Sequence, residues 1–365
     1  MKKIAIIGGG IIGLTLANYL DTNKFSITLF DEPTGQATGA SAGIISPWLS
    51  KRRNKKWYRL AQDGAAFFPK LIADMQLDEK IYQQTGTLLL RDTAELETVA
   101  QLAEERKAGA PEIGDIQLLT AAETQASLPL LNKIPSLKIS GGGKLDGKAY
   151  LQHLTRRAKA KNITIISATA NLRQIETGWQ VLTDQPLDFD LVALTPGPRL
   201  KQLLAPLGFH VDLRPQKGQL VVFETNFKES GNWPVAMLDG EADLIPFMDG
   251  TILLGATHEN DAGWDLQPTN EAYLQLTENS RHFFHAPDEL FSHFKKIQVG
   301  TRAYTADFAP FFGPLETAPS LAVASGLGSS GLTTGPYIGY LLAEYFNTGQ
   351  LQTTPYEKSL DTYIQ

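Results

Sequence analysis

The sequence has 365 residues, 42% hydrophobic and 20% charged, with a formal net charge of -6, a globular composition with length for about two domains. The mild negative charge argues against non-specific contact with nucleic acid or anionic lipid. Cysteine is absent, which excludes disulfides, thiolate metal sites and a cysteine nucleophile and fits a cytoplasmic location.

Lys2 and Lys3 precede an apolar run that Gly8, Gly9, Gly10 and Gly13 interrupt. The run leads into a second strand without a polar cleavage region, so it reads as folded structure rather than a targeting signal. No other stretch approaches the roughly 20 apolar residues of a membrane span. Residues 3–7 form an apolar strand of the type covered on both faces. Gly8-Gly9-Gly10-Ile11-Ile12-Gly13 follows, then a helix over 14–20, then a strand over 26–30 that ends at Asp31. This is a complete dinucleotide-binding βαβ fingerprint. Gly8 permits the sharp turn, Gly10 lets backbone approach a pyrophosphate, and Gly13 lets helix and strand pack closely. The helix N-terminus offers free N–H groups to phosphates, and Asp31 can accept from ribose hydroxyls. The fingerprint alone does not separate FAD from NAD. Gly326, Gly328 and Gly331 repeat the spacing between an apolar stretch at 321–324 and a helix through Leu342, but no second strand with a terminal acid follows.

Residues 38–47 are small and suit close approach of backbone to a ligand. The basic cluster at 51–59 reads as the solvated start of a helix, because Trp57, Leu60, Ala61, Gly64, Phe68 and Leu71 follow at helical spacing. Further on, strands are expected at 86–90, 163–166, 179–182, 191–194, 219–223, 251–254, 300–304 and 321–324, and helices at 94–108, 150–161 and 271–284. The fold class is therefore α/β with an α+β second domain: a Rossmann-like nucleotide-binding domain from 1–80, 141–215 and 298–365, and a mixed-sheet substrate domain from 81–140 and 216–297. His282, His285 and His293 come with no acidic ligand motif, so no metal site is expected. No G-x-S-x-G elbow supports a hydrolase.

Several later segments complete a pattern. These are Ala40-Ser41-Ala42-Gly43-Ile44, Lys217-Gly218-Gln219, Asp243-Leu244-Ile245-Pro246, Gly255-Ala256-Thr257, Gly300-Thr301-Arg302 with Asp307, Pro310 and Gly313, and Gly326 to Leu332. Together with the fingerprint, and in this order, they resemble the D-amino acid oxidase superfamily, closest to its glycine oxidase and D-amino acid dehydrogenase branch. The resemblance covers nearly the whole chain. It implies a non-covalently bound FAD, and the lack of cysteine excludes a thioether tether. Cofactor contacts are implied for Gly8, Gly10, Ile11, Ile12, Gly13, Asp31 and Glu32. Thr38, Ala42, Gly43 and Ile44 would line the pyrophosphate and flavin, and Leu172 would touch adenine through its backbone. Gly197, Gly300, Arg302 and Gly328 would approach the cofactor. Ser329, Ser330, Gly331 and Leu332 would offer N–H groups to the flavin pyrimidine edge, where a helix N-terminus stabilises developing negative charge.

By the same resemblance Arg302 binds the substrate carboxylate, a task suited to a planar guanidinium; the structural alternative pairs it with Asp307. Asp243 stands where the branch often has tyrosine, and it either meets a substrate amine or belongs to a different surface loop. The expected reaction is oxidation of the C–N bond of a small amino acid or secondary amine of the glycine, sarcosine or D-amino acid type, by hydride transfer to flavin N5, with O2 or another acceptor taking the electrons. An FAD-dependent 2-hydroxy acid oxidoreductase, a non-catalytic flavin-binding protein and an NAD(P)-dependent dehydrogenase are the alternatives. A homo-oligomer is compatible with the sequence.

Overall fold

The computed structural model describes residues 1–365 apart from 33, 51–53, 241, 353–354 and 357–358. The first three residues of the basic cluster thus lie outside the described residues; the helix expected after them starts at Lys55. Two large sheets carry the molecule. The first has six strands in the order Phe311–Leu315, Ala318–Ser325, Leu191–Leu194, Lys2–Ile7, Phe25–Asp31, Thr164–Ser167. All neighbours are parallel except the outermost pair, Phe311–Leu315 against Ala318–Ser325. Its central strand buries Ile4, Ala5, Ile6 and Ile7 completely or nearly so, as an apolar run covered on both faces must.

The second sheet has eight strands in the order Phe294–Tyr304, Arg214–Glu224, Thr251–Gly255, Asp243–Pro246, Val235–Met237, Thr87–Leu89, Ser136–Ile139, Ile116–Leu119. Only Val235–Met237 and Thr87–Leu89 run parallel; every other pair is antiparallel. The mixed α/β class is as the sequence indicated. The expected domain boundary at 297/298 falls inside Phe294–Tyr304, whose length pairs with Arg214–Glu224. A division that follows the sheets keeps that strand, with Arg302, in the larger sheet. The helix expected over 271–284 stops at Ser280 and tightens into a 3-10 turn over Arg281–Phe283. Side-chain hydroxyls of Thr277 and Ser280 take the carbonyls of Tyr273 and Leu276 at its end.

A small sheet of Ile44–Ile45, Gly143–Leu145 and Tyr82–Gln83 joins the two halves. Its central residue Lys144 is fully buried and donates to the carbonyls of Gly231, Trp233 and Pro246. Three acceptors without a carboxylate hold an ammonium whose pKa burial pulls down to about 7.

The first helix, Ile11–Tyr19, and the last, Gly331–Thr348, pack side by side at a distance that glycine sets. A Cβ at Gly335 would stand 2.4 Å from Ile11 Cγ2, and one at Gly339 2.8 Å from the Ile12 carbonyl oxygen. Gly13 works on the other side of the first helix: its Cβ would lie 1.9 Å from the Gly8 oxygen. The first helix is therefore pressed between the opening turn and the last helix. We predict that Gly335→Leu destabilises the protein by about 1–3 kcal/mol, the usual cost of overpacking, and weakens cofactor retention; urea unfolding and a cofactor titration check both, and an unchanged midpoint with unchanged affinity contradicts the packing argument.

Candidate active site

One cavity of about 740 Å³ runs between the two large sheets, within the range of small-molecule and cofactor sites. At one end it is walled by Gly8, Gly10, Ile11, Ile12, Asp31 and Glu32; at the other by Gly218, Leu220, Asp243, Gly255, Gly300 and Arg302. Thr38, Ala42, Gly43, Ile44 and Gly197 line its length, and Gly328, Ser329, Gly331 and Leu332 close one side. Most site residues expected from sequence thus share one cavity. Three do not line it. Gly13 sits beneath it and serves packing, as its contact with Gly8 shows. Leu172 pairs with Val181 and buries its side chain in a core with Trp179 and Leu194; the wall there is formed by Ala168, Thr169, Ala170 and Asn171 instead. Ser330 turns its hydroxyl to the Trp57 indole N–H at 3.0 Å and the Leu327 carbonyl at 2.9 Å.

The nucleotide end has the features that a dinucleotide requires. No side chain caps the first helix at Gly10, and only Thr38 Oγ1 of the loop meets the Ile11 N–H, at 3.2 Å. A Cβ at Gly10 would find nothing closer than 3.7 Å, and at Gly197, with φ +58°, nothing within 4 Å. Backbone is therefore bare where a pyrophosphate would approach. Asp31 accepts from the Gly9 N–H at 2.8 Å and the Gln36 amide at 2.7 Å; burial raises its pKa against those bonds. Glu32 accepts from Thr169 Oγ1 at 2.5 Å and from Arg199, which lowers its pKa. The last helix is likewise uncapped at Ser330, so two helix N-termini open on one cavity. These residues fit FAD: they offer N–H groups and a ribose acceptor at one end and a positive helix end at the other. Among the described residues no cluster of His, Asp or Glu fits a metal ion.

The far end carries the charged pair. Arg302 donates from Nη1 to Gln216 Oε1 and to the Thr257 carbonyl, each at 2.9 Å. Its Nε and Nη2 have no protein acceptor among the described residues. Asp307 is not a partner of Arg302; it accepts from Thr305 at 3.0 Å and Tyr363 at 3.1 Å. Burial lowers the Arg302 pKa, though guanidinium stays charged. The guanidinium lies across Gly218, where a Cβ would come within 2.8 Å of its Cζ, Nη1 and Nη2. Gly300, opposite Gly218 in the ladder, admits Ala40 of the cofactor-side loop just as closely. Register places Asp243 on the same face. Asp243 pairs with Gly255, Gly255 with Leu220, and Leu220 with Gln298, four residues before Arg302. Side chains two or four apart on a strand share a face, so Arg302 and Asp243 both project into the cavity.

Asp243 makes no side-chain hydrogen bond among the described residues. Loss of water pushes its carboxyl up to about 7, opposed by the Arg91 charge. The segment after Gly255 was not singled out from sequence as a wall, yet His258, Trp264 and Leu266 line the cavity. The buried Lys217 pins this strap through Asp265 Oδ2 and the Gln267 carbonyl, each at 2.7 Å. Gln219 adds bonds to Glu259 at 2.8 Å and Thr269 at 3.0 Å. The clue present in the sequence was Lys217 and Gln219 alternating along one strand with acids at 259 and 265.

Comparison with known proteins places these features in context. A family model described as DAO, FAD dependent oxidoreductase, matches residues 3–345. An uncharacterized oxidoreductase, YurR, of Bacillus subtilis is 36% identical over 98% of both chains. A glycine oxidase of Pseudomonas putida is 26% identical over 92% of each. Among solved structures, iminodiacetate oxidase from Chelativorans superposes with a TM-score of 0.90 at 28% identity, covering 99% of this chain and 98% of that one.

The Asp243 environment yields a stability prediction. The folded carboxyl holds its proton to about 7 while the unfolded one releases it near 3.8. The folded state is therefore penalised progressively as pH rises through that window, and the penalty is complete above it. Asp243→Asn removes the penalty. Its Tm should exceed that of the parent at about pH 8 and match it at about pH 4; a Tm gain of equal size at both pH values would show that ionisation of Asp243 is not its source.

Proposed function

We infer the reaction from a single premise: the chain belongs to the DAO family of FAD-dependent oxidoreductases. We propose that it oxidises the C–N bond of a small amino acid or secondary amine, of the glycine, sarcosine or D-amino acid type. The observation that carries this reading is the pairing, on one sheet face and in one cavity, of an arginine edge and a carboxylate that have no hydrogen-bond partner among the described residues. An arginine alone suits any small carboxylate, including a 2-hydroxy acid. Asp243 adds an acceptor suited to an amine. The relatives agree in chemistry, since glycine and iminodiacetate each carry nitrogen one carbon from a carboxylate.

Bound FAD supplies the hydride acceptor, the difficult part of the chemistry. The chain supplies position. Gln216 and Thr257 fix one guanidinium nitrogen, so the remaining edge of Arg302 meets the substrate carboxylate already oriented. Gly218 gives that guanidinium its floor. Asp243 receives the nitrogen from the same sheet face. The uncapped N-terminus of Gly331–Thr348 presents its positive end to the cavity, which favours the reduced, more negative state of a flavin. The segments around Trp264 and Leu266 limit water.

The direct experiment is an absorbance spectrum of the purified protein during anaerobic addition of glycine, sarcosine, proline, iminodiacetate, D-alanine and lactate in turn. Bleaching by an amine supports the reading. Bleaching by lactate alone replaces it with 2-hydroxy acid oxidation, and no bleaching by any of them leaves a flavoprotein with a different substrate or none. Arg302→Ala should keep its FAD and raise KM about 100-fold, the loss of charged hydrogen bonds of about 1.5–3 kcal/mol each. Gly218→Ala should move in the same direction by displacing the guanidinium. An Arg302→Ala variant with parental KM would defeat the carboxylate assignment.

A further inference from the structure

The zwitterion of an amino acid enters with a protonated nitrogen, and a C–N bond cannot be oxidised by hydride loss until that nitrogen has a free electron pair. One proton must therefore leave, either to solvent before binding or to an acceptor in the site. The cavity wall contains a candidate whose other obligations can be checked. Asp243 lies between Gly255 and Met237 on neighbouring strands, neither of which is ionisable. The charged and titratable groups around it are Arg91, whose charge acts on it, and Arg302 and His258, which line the same cavity. Arg91 is committed elsewhere: it donates to the carbonyls of Leu90, Met237 and Leu238 and stands 3.5 Å from Asp239. Nη1 of Arg302 is taken by Gln216 and Thr257. A structural carboxylate would be bound to one of these cations, and Asp243 is bound to neither.

We propose that Asp243 is the base that takes a proton from the substrate ammonium while Arg302 holds the carboxylate. The inference rests on the amine-oxidising reading above. In the first step an N–H bond breaks and an O–H bond forms on Asp243; the nitrogen keeps the electron pair and nothing is oxidised. In the second, with FAD bound, that pair would assist departure of the Cα hydrogen with its two electrons, leaving an iminium ion that water hydrolyses to a carbonyl and an ammonium product. Asp243 then returns its proton to water at the cavity mouth. The match of acid to base supports this assignment. A carboxyl titrating near neutrality is within reach of an ammonium, whose range runs from about 8 for a peptide α-amino group to about 10.4 for lysine. It is poorly suited to an alcohol, with an O–H like that of water at about 15.7. The same group that accepts an ammonium proton readily would accept a hydroxy-acid proton badly.

The test uses the FAD-loaded protein and anaerobic rapid mixing with sarcosine, glycine and iminodiacetate from about pH 6 to about pH 10. The parent should show a rise in the reduction efficiency through about pH 7 and then a plateau. Asp243→Asn should be slower by about 100-fold at pH 7 and climb about tenfold per pH unit, because it must wait for free amine, until it approaches the parent at the alkaline end. Asp243→Glu should keep a plateau. A merely structural role would lower all rates in parallel without changing this slope. A second readout needs no turnover. Acetate offers a carboxylate without an amine, and its binding can be followed by perturbation of the cofactor spectrum. Its affinity for the parent should fall as pH rises through about 7 and Asp243 ionises beside it, and should stay flat in Asp243→Asn. If the asparagine variant keeps the parental pH profile, or if acetate binding to the parent ignores pH, Asp243 is not the base and the amine-oxidising reading survives. If none of glycine, sarcosine, proline, iminodiacetate and D-alanine reduces the parent, both fall together.

Discussion

The close approach of the first and last helices is the constraint on which the site depends. Gly335 and Gly339 let Gly331–Thr348 settle onto Ile11, Ile12 and Thr15, and Gly13 lets the same first helix settle onto the opening turn. Helices that touch at glycine bring their ends as close as backbone allows. Here the ends are both N-terminal and both uncapped, so two sets of unsatisfied N–H groups and two positive dipole ends converge on one space. Without that convergence the sheet behind it would face an ordinary cleft.

The second sheet converts this space into a place for chemistry by register rather than by loops. Arg302, Gly218, Gly300 and Asp243 are fixed by strand pairing, with a glycine in each of the two strands leaving room between the charged groups. Sites carried on paired strands are held more tightly than those on loops. Lys144 strengthens the link, because its ammonium ties the small joining sheet, which includes the cavity residue Ile44, to the carbonyl of Pro246 in the Asp243 strand. The distance from cofactor side to substrate side is thus set by a buried cation.

The nucleotide-binding half was legible because its signals are local. A strand, three spaced glycines, a helix and an acid occupy one short run, and each glycine has a steric reason visible in the structure. The order of later blocks was enough to place Arg302 and Asp243 in the wall. Much of the second sheet was not legible, since Val235–Met237 and Asp243–Pro246 span only three and four residues, too few for a period of two to emerge. Leu172 illustrates the limit at single-residue scale: its side chain enters the core, and the residues of that segment that line the cavity are Ala168, Thr169, Ala170 and Asn171. Ser330 illustrates another, because its N–H, expected at the flavin edge, meets the Leu327 carbonyl at 3.1 Å in the turn before the last helix. Burial of Lys144 and Lys217 was equally invisible, as lysine is normally a surface residue.

The strap held by Lys217 has a consequence for traffic. Lys217 is 1% exposed and Trp264, near the middle of the strap, is 41% exposed while lining the cavity. Lifting the strap would strip a buried ammonium of Asp265, itself 48% exposed, and of the Gln267 carbonyl, leaving Lys217 short of the partners that offset its burial. Passage by side-chain rotation at Trp264 demands far less. The entrance then behaves as a sieve of nearly fixed mesh, which sorts molecules by girth before Arg302 or Asp243 can sort them by charge.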